Sequence, residues 1–150
     1  MFVLTFNLNK KRAILIIAAA AVLLCVLIFA FGRSGTGSGT VKVTNNEDRV
    51  AYLESLGWRV TAEPIAERTI VIPQEFSSVY EAYNELQIAQ GFDLREHRGL
   101  EVTIYTYEIT NYTGYDGNVV ADLYVFNYTV IGGDVHSLAQ DGFMHGLRRR

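Results

Sequence analysis

Residues 119–135 read VVADLYVFNYTVIGGDV, and this stretch decides the fold. The runs 119–126 and 128–135 are both rich in β-branched and aromatic residues, which favours strands over helices. The two runs are joined near Asn127 and Tyr128. Strands joined by so short a connection must run antiparallel, because a parallel pair needs a long crossover. The stretch therefore predicts two neighbouring antiparallel strands.

The residues before this stretch extend the same sheet. Residues 100–112 read LEVTIYTYEITNY, a long strand in which apolar and polar positions alternate. The turn that follows contains Asp116 and Gly117, a pair typical of a hairpin connection. Three successive antiparallel strands with short links predict a meander.

Two helices and two further strands are predicted upstream of the meander. The helices are expected over residues 45–58 and 77–91, and the strands over residues 58–65 and 67–73. Pro64 restricts the first of these strands to an edge or a bend, since proline cannot donate to a ladder. The order α-β-β-α-β-β-β predicts an α+β domain, with both helices on one face of an antiparallel sheet.

Capping residues and apolar stripes support both helices. Asn45 or Asn46 can cap the first helix, and Ser77 or Ser78 the second. Each helix has a stripe that should face the sheet. The stripes are Val50, Leu53 and Leu56 in the first helix, and Val79, Tyr83, Leu86 and Gln90 in the second.

The N-terminal region predicts a membrane anchor. Residues 13–31 contain no charged residue, and as a helix of about 28 Å they would cross a bilayer core. Lys10, Lys11 and Arg12 precede the segment and only Arg33 follows closely, which places the N-terminus inside the cell. The predicted organisation is a cytoplasmic N-terminus at 1–12, a transmembrane helix at 13–31, a flexible linker at 32–44 and an extracytoplasmic domain at 45–150.

Two alternatives to the anchor remain open on sequence grounds. A cleaved signal peptide would need a small-x-small site, and Ala30, Phe31 and Gly32 form a poor one. A lipoprotein would use Cys25, the only cysteine, but Leu24 stands where a small residue is expected. In either case the exported domain has no disulfide and must be held by its apolar core.

The charge of the predicted domain excludes one class of partner. All sixteen acidic residues of the chain lie between Glu47 and Asp141, and only five arginines lie in that stretch. Such a surface repels polyanions, so the domain is not expected to bind nucleic acid. The lipid bilayer is an expected partner through the N-terminal helix, and the domain should stand off from an anionic membrane surface except at its basic tail and at Arg33 and Lys42.

Several short strings occur together in the order typical of one family. They are YLESLGW, VIPQEF, VYEAYNELQ, QGFDL, YTYEITNY and IGGDVHS followed by DGFMHGL. Together they resemble the uncharacterised bacterial family known as domain of unknown function 4830, over residues 47–147. The resemblance implies a small Gram-positive protein with one span and an exported α+β domain. It implies no activity, no cofactor and no catalytic residue.

The C-terminal segment raises a metal-site hypothesis. Asp134 and His136 share one face of the predicted strand, and Asp141 and His145 would share a face if a helical turn followed. Two carboxylates and two imidazoles could hold a divalent metal, although no recognised zinc spacing is present. The alternative is that the segment closes the fold. Gly132 and Gly133 would then permit a bulge or close backbone approach, and Leu138, Phe143, Met144 and Leu147 would dock on the domain.

Two other kinds of site can be weighed from the residues. Ser137 and His136 are adjacent on a strand and point to opposite faces, so they cannot form a serine–base pair.

Six of the nine tyrosines lie between Tyr105 and Tyr128, and Tyr105 and Tyr107 share a strand face. A row of tyrosines on an exposed sheet face could bind glycan or peptide, whereas a buried row would belong to the core.

These observations favour a binding module over an enzyme. We expect a non-enzymatic, membrane-anchored domain that binds an envelope protein, a peptide or a cell-wall component, with no cofactor. The alternative is a small metal-assisted hydrolase that uses the C-terminal His/Asp cluster. The candidate binding residues are Tyr105, Tyr107, Tyr124, Asp134 and His136.

Overall fold

The structure is a computed structural model that describes residues 40–149. The predicted anchor at residues 13–31 lies outside the described residues. Within the described part of the chain, no helix is both long enough and apolar enough to span a membrane. The described residues therefore correspond to the predicted extracytoplasmic domain and the end of the predicted linker.

The described residues form a five-stranded sheet and two α-helices. The sheet is antiparallel throughout, and its strands lie side by side in chain order. The α+β class and the meander are thus confirmed. The elements are α1 (Asn46–Ser55), β1 (Ala66–Val71), α2 (Ser78–Ile88), a short 3₁₀ helix (Leu94–His97), β2 (Glu101–Glu108), β3 (Val119–Phe126), β4 (Thr129–Ser137) and β5 (Met144–His145).

The caps and the tight turn form where the sequence places them. The side chain of Asn45 accepts a hydrogen bond from the backbone of Asp48, and the side chain of Ser77 accepts one from Tyr80. Asn127 and Tyr128 both adopt positive φ angles, 46° and 60°, in the connection between β3 and β4. A two-residue turn of this hand matches the twist of the strands that it joins.

The predicted order of elements is wrong at two places. Residues 58–65 form no strand, and only Val60 makes an isolated bridge, to Ile109. Pro64 contributes to the failure, because it has no N–H to donate to a ladder near the end of the run. After β4, the short strand β5 replaces the helical turn that would have aligned Asp141 with His145. The observed order is α-β-α-β-β-β-β.

The two helices lie on opposite faces of the sheet, so the prediction of one shared face is wrong. Leu53 of α1 packs with Tyr107 of β2 in one apolar cluster. Tyr83 of α2 packs against a second cluster that contains Ile104 of the same strand. Residues 104 and 107 point to opposite sides because side chains alternate along a strand. Both faces of β3 are buried, since every residue of that strand except the last is buried, so each face needs its own helix.

Helix α2 also covers the edge of β4, where two of its glutamines form hydrogen bonds with the strand backbone. Gln87 is fully buried and its Oε1 accepts a hydrogen bond from the backbone of Gly133 at 2.9 Å, while Gln90 Nε2 donates to the Gly133 carbonyl at 3.0 Å. The predicted stripe of α2 is wrong in part, since Val79 is 78% exposed. Backbone groups at a sheet edge must find partners, and glutamine supplies both a donor and an acceptor.

The C-terminal segment closes the fold, as one of the two sequence interpretations predicted, but only Phe143 and Leu147 dock, since Leu138 is 58% exposed and Met144 51%. A bulge at Ile131 shifts the register between β3 and β4. A Cβ atom on Gly133 would lie 2.5 Å from the Asp122 carbonyl oxygen, so the backbone approach requires glycine. Leu147 is buried in the α1-side cluster, and its carbonyl accepts a hydrogen bond from Trp58 Nε1.

Candidate functional site

Two carboxylates are buried side by side on the α2 face of the sheet. Asp122 of β3 and Asp134 of β4 are direct cross-strand partners, and each residue is only 2% exposed. Two negative charges so close together repel each other and lose hydration, so the sheet must provide donors and positive charge around them. We call this group, with Arg68, Tyr83, Thr106 and His136, the carboxylate network.

Each oxygen of the pair accepts a hydrogen bond from a side chain. Asp122 accepts from the Thr106 hydroxyl and from Arg68 Nη2, the latter at 2.8 Å. Asp134 accepts from the Tyr83 hydroxyl at 2.6 Å, and its other oxygen lies 2.7 Å from His136 Nδ1. Because an ionised carboxylate only accepts, His136 carries its proton on Nδ1.

The charges of the network explain its shifted pKa values. The hydrogen bond to Asp134 raises the pKa of His136 and favours the imidazolium form, against the opposing effect of burial. Burial raises the pKa of Asp122, and the nearby Asp134 raises it further, while Thr106 and Arg68 lower it. Burial also raises the pKa of Tyr83, and it raises that of Tyr124 to about 12, so both tyrosines stay neutral. Arg68 and, when it is protonated, His136 are thus the positive partners of the two carboxylates.

Within residues 40–149, one group of side chains has the composition of a metal site. Asp122, Asp134 and His136 can place one ligand atom each within 4.8 Å of the others. Carboxylate and imidazole ligands suit zinc or manganese. In this arrangement, however, a cation would have to displace the donors already bonded to the carboxylates and lie beside the Arg68 guanidinium. The geometry therefore fits an internal ion network better than a metal centre.

The same group contains half of a hydrolytic arrangement. Asp134 orients His136 through Nδ1, which is how a carboxylate prepares histidine as a general base. The adjacent Ser137 lies on the opposite face, where its hydroxyl accepts a hydrogen bond from the Phe143 backbone at 3.3 Å. This confirms that Ser137 and His136 do not form a serine–base pair.

A surface pocket of about 510 Å³ lies at the edge of the sheet, between α2 and the C-terminal segment. It is lined by Trp58, Leu86, Tyr112, Thr113, Met144, His145, Gly146 and Arg149. We call it the aromatic pocket. Its volume falls within the roughly 300–1,000 Å³ that is usual for small-ligand sites.

Stacked rings form the wall of the aromatic pocket. The Tyr112 ring stacks on Trp58 with centroids 5.6 Å apart, and on Phe143 at 5.0 Å. His145 Nδ1 donates to the Gly146 carbonyl, so in the neutral ring Nε2 accepts from the Tyr112 hydroxyl, 3.0 Å away. These contacts hold the rings in place before any ligand arrives, and rigid aromatic surfaces bind at a low cost in entropy.

Comparison with known proteins gives one match. A family model described as Domain of unknown function (DUF4830) matches residues 52–135, more than half of the chain. The chain belongs to the DUF4830 family. No curated protein and no solved structure matches it. The match confirms the resemblance stated from the sequence strings. It includes Trp58 and Tyr112 of the aromatic pocket, whereas Met144, His145 and Arg149 lie beyond the matched residues.

Of the two interpretations of the tyrosines, the DUF4830 domain fits the one that assigns them to the core, not to an exposed row. Tyr107 is fully buried beneath α1, where its hydroxyl accepts from Arg49 Nε at 2.9 Å and donates to Asn46 at 2.8 Å. Tyr105 lies half-buried beneath Arg49, whose guanidinium carbon is 3.7 Å from the ring centroid. Tyr124 is buried on the opposite face. An alternating strand in an antiparallel sheet does not reveal which face a helix will cover.

The predicted four-residue His/Asp cluster is also not formed in the DUF4830 domain. Asp134 and His136 do meet, as their shared strand face predicted. His145 pairs with Val135 across β4 and β5, so its side chain lies on the face opposite His136. Asp141 is exposed in the turn before β5. The four residues therefore do not assemble into one site.

Sequence reasoning missed both Asp122 and the aromatic pocket. The signal for Asp122 was present, since a lone aspartate inside the apolar run VVADLYVF requires a buried partner. The pocket carried no local signal. Trp58 and Tyr112 lie more than fifty residues apart in the chain, and only the docking of the C-terminal segment brings His145 to them.

Proposed function

We propose that this DUF4830 protein is a non-enzymatic binding module, anchored in the membrane by its N-terminal segment and facing the cell exterior. The observation that carries the proposal is the aromatic pocket with its preformed wall of stacked rings. Such a wall suits a ligand with a flat or apolar group, as in a peptide or a cell-wall component.

The lining of the pocket supports binding rather than catalysis. It contains no aspartate, glutamate, cysteine or serine, and its only histidine is held by Tyr112 and Gly146. An acid–base mechanism would need a proton donor or acceptor near a nucleophile. The Asp134–His136 pair does not line this pocket. Aromatic residues, methionine and arginine are instead the types that are enriched in binding surfaces.

The sequence supports the proposed location. Residues 13–31 are long and apolar enough for one span, and the positive residues at 10–12 favour an inside N-terminus. The segment at residues 32–40 is rich in glycine and serine and is short, which would keep the pocket near the outer membrane surface. The end of the predicted linker belongs to the domain instead, since Lys42 bridges to Thr129 of β4 and Val43 is buried in the core.

Site-specific photo-crosslinking in intact cells tests the proposal. A photoreactive phenylalanine analogue placed at Thr113, an exposed residue of the pocket, should give a discrete adduct in the membrane fraction. The matched control carries the same group at Val79, which is 78% exposed on α2 and outside the pocket. An adduct at both positions, or at neither, would contradict specific binding at the pocket.

The same cells test the location. A C-terminal reporter that is active only outside the cytoplasm should be active and should sediment with membranes. Activity in the soluble fraction would mean that residues 13–31 are cleaved. A lack of activity, with the fusion protein present, would place the domain in the cytoplasm.

A further inference from the structure

The open part of the aromatic pocket combines apolar surface with one cationic group. Leu86 is half-buried on α2, and Met144 of β5 is 51% exposed beside it. Large apolar side chains left in contact with water next to a ring wall favour burial by a ligand, at roughly 25 cal/mol for each Å² covered. The apolar part of the pocket therefore suits an aliphatic side chain.

Arg149 supplies the charge. Its guanidinium carbon lies 5.6 Å from the Trp58 ring centroid, and its Nη1 donates to the Gly57 carbonyl at 3.3 Å. Among the described residues it forms no salt bridge, whereas Arg68 and Arg95 each pair with a carboxylate. A guanidinium has five N–H donors in a planar fork that matches a carboxylate, and one of these donors is engaged here by the protein.

The charge of the whole domain limits what this arginine can attract. The segment between Glu47 and Asp141 contains sixteen acidic residues, of which Asp122 and Asp134 are buried, and five arginines. An extended polyanion would be repelled by such a surface. A single carboxylate placed in the pocket would meet the Arg149 guanidinium instead, because no acidic residue lines the pocket.

We propose that the aromatic pocket binds the C-terminal end of a peptide whose last residue is aliphatic. This inference rests on the proposed binding function and names its ligand. The terminal carboxylate pairs with the Arg149 guanidinium, and the last side chain packs among Leu86, Met144 and the Tyr112 ring. A backbone carboxylate and its own side chain are separated by only two bonds, which suits a pocket in which cation and apolar surface adjoin.

The test uses the full 150-residue chain in detergent, with its single tryptophan as the reporter. Trp58 lines the pocket, so its fluorescence should change when the pocket is filled. The three probes are acetyl-Gly-Gly-Leu with a free carboxylate, the same peptide as its C-terminal amide, and acetyl-Gly-Gly-Asn with a free carboxylate. The first should bind saturably. The other two should bind roughly tenfold more weakly or worse, because each lacks either the charged partner or the apolar group.

Two arginine variants separate a specific contact from general charge. Arg149→Gln should reduce the affinity for the leucine acid to that for its amide and should leave amide binding unchanged. Arg148→Gln removes the same charge one residue away, outside the pocket lining, and should bind like the wild type. Both side chains are exposed, so neither variant should unfold the domain.

Each contrary result has a distinct meaning. Equal affinity for the acid and the amide, or equal loss in both arginine variants, would overturn the carboxylate contact. Equal affinity for the leucine and asparagine peptides would overturn the aliphatic subsite. If none of the three probes binds while the crosslink at Thr113 persists, the peptide assignment fails and the binding function stands. If the crosslink is also missing, the binding function fails as well.

Discussion

The carboxylate network should make the stability of the domain fall as pH rises above neutrality. The raised pKa of His136 means that the folded state binds a proton more tightly than the unfolded state does. The stabilisation is therefore fully present below the unfolded value near 6.5, and it is lost as pH rises through the higher folded pKa. Burial also raises the pKa of Asp122, so this residue likewise makes the stability fall as pH rises, but the fall begins at a lower pH, near the unfolded value of 3.8.

The magnitude follows from the geometry of the His136–Asp134 contact. The two atoms are 2.7 Å apart, and the Asp134 side chain is 3% exposed while that of His136 is 23% exposed. A hydrogen bond to a charged group contributes about 1.5–3 kcal/mol, and partial solvent contact reduces this to about 1–2 kcal/mol. In a domain of this size, such a loss should lower the melting temperature by roughly 4–10 °C.

The substitution His136→Asn isolates this effect. Asparagine places a neutral amide donor near the position of Nδ1, so it retains a hydrogen bond to Asp134 and removes the titration. Residues 41–150 of both proteins would be melted at several pH values between about 6 and 9 and followed by circular dichroism. The wild type should lose stability over this range, and the variant should lose much less.

A matched control guards against a general effect of losing a histidine. His97→Asn changes a half-buried histidine outside the network, keeps His136 paired with Asp134, and should therefore retain the wild-type dependence on pH. The reasoning would be refuted by a wild-type stability that is constant or rises from pH 6 to 9. A slope that His136→Asn leaves unchanged would refute it equally.

Three further predictions concern packing. Leu53 of α1 is fully buried, so Leu53→Ala should lower the free energy of unfolding by about 2–5 kcal/mol in urea titrations. The exposed control Val79→Ala should change it by about 0.5 kcal/mol or less, and similar values for both variants would contradict the burial assigned to Leu53. Gly133→Ala should cost about 1–3 kcal/mol by the same measurement, because its Cβ would lie 2.5 Å from the Asp122 carbonyl oxygen, and a neutral result would mean that the strands separate easily. Phe143→Ala should lower the free energy of unfolding by about 1–3 kcal/mol, because the ring is half-buried and stacked on Tyr112. The substitution should also change Trp58 fluorescence. An unchanged melt and an unchanged spectrum would mean that the C-terminal segment is not docked.

The arrangement of the charged residues shows where sequence reasoning succeeded and where it stopped. Asp134 and His136 were correctly placed together, because residues two apart on a strand must share a face. Their partners were not found. Asp122 and Thr106 come from neighbouring strands and Tyr83 from a helix, so their meeting depends on strand register and on the face that α2 covers.

The tyrosines of β2 also show that the sequence does not reveal which face of a strand is buried. Their alternation correctly placed Tyr105 and Tyr107 on one strand face. The assignment of that face to solvent or to core required the position of α1, which lies more than fifty residues away in the chain. Either helix could pack its apolar stripe against either side of the sheet, because the central strand β3 is buried and carries large apolar residues on both faces.

The sequence by itself determined the local features of this protein. Caps, turn residues and alternation act within a few residues, so the helices, most of the strands and the antiparallel order could be read directly. The tertiary structure alone decided which faces meet. It placed α1 and α2 on opposite sides of the sheet, sent His136 and His145 to opposite faces, and brought Trp58, Tyr112 and Arg149 together in one pocket. Contacts of this kind depend on the packing of distant segments, which the spacing of residues along the chain does not specify.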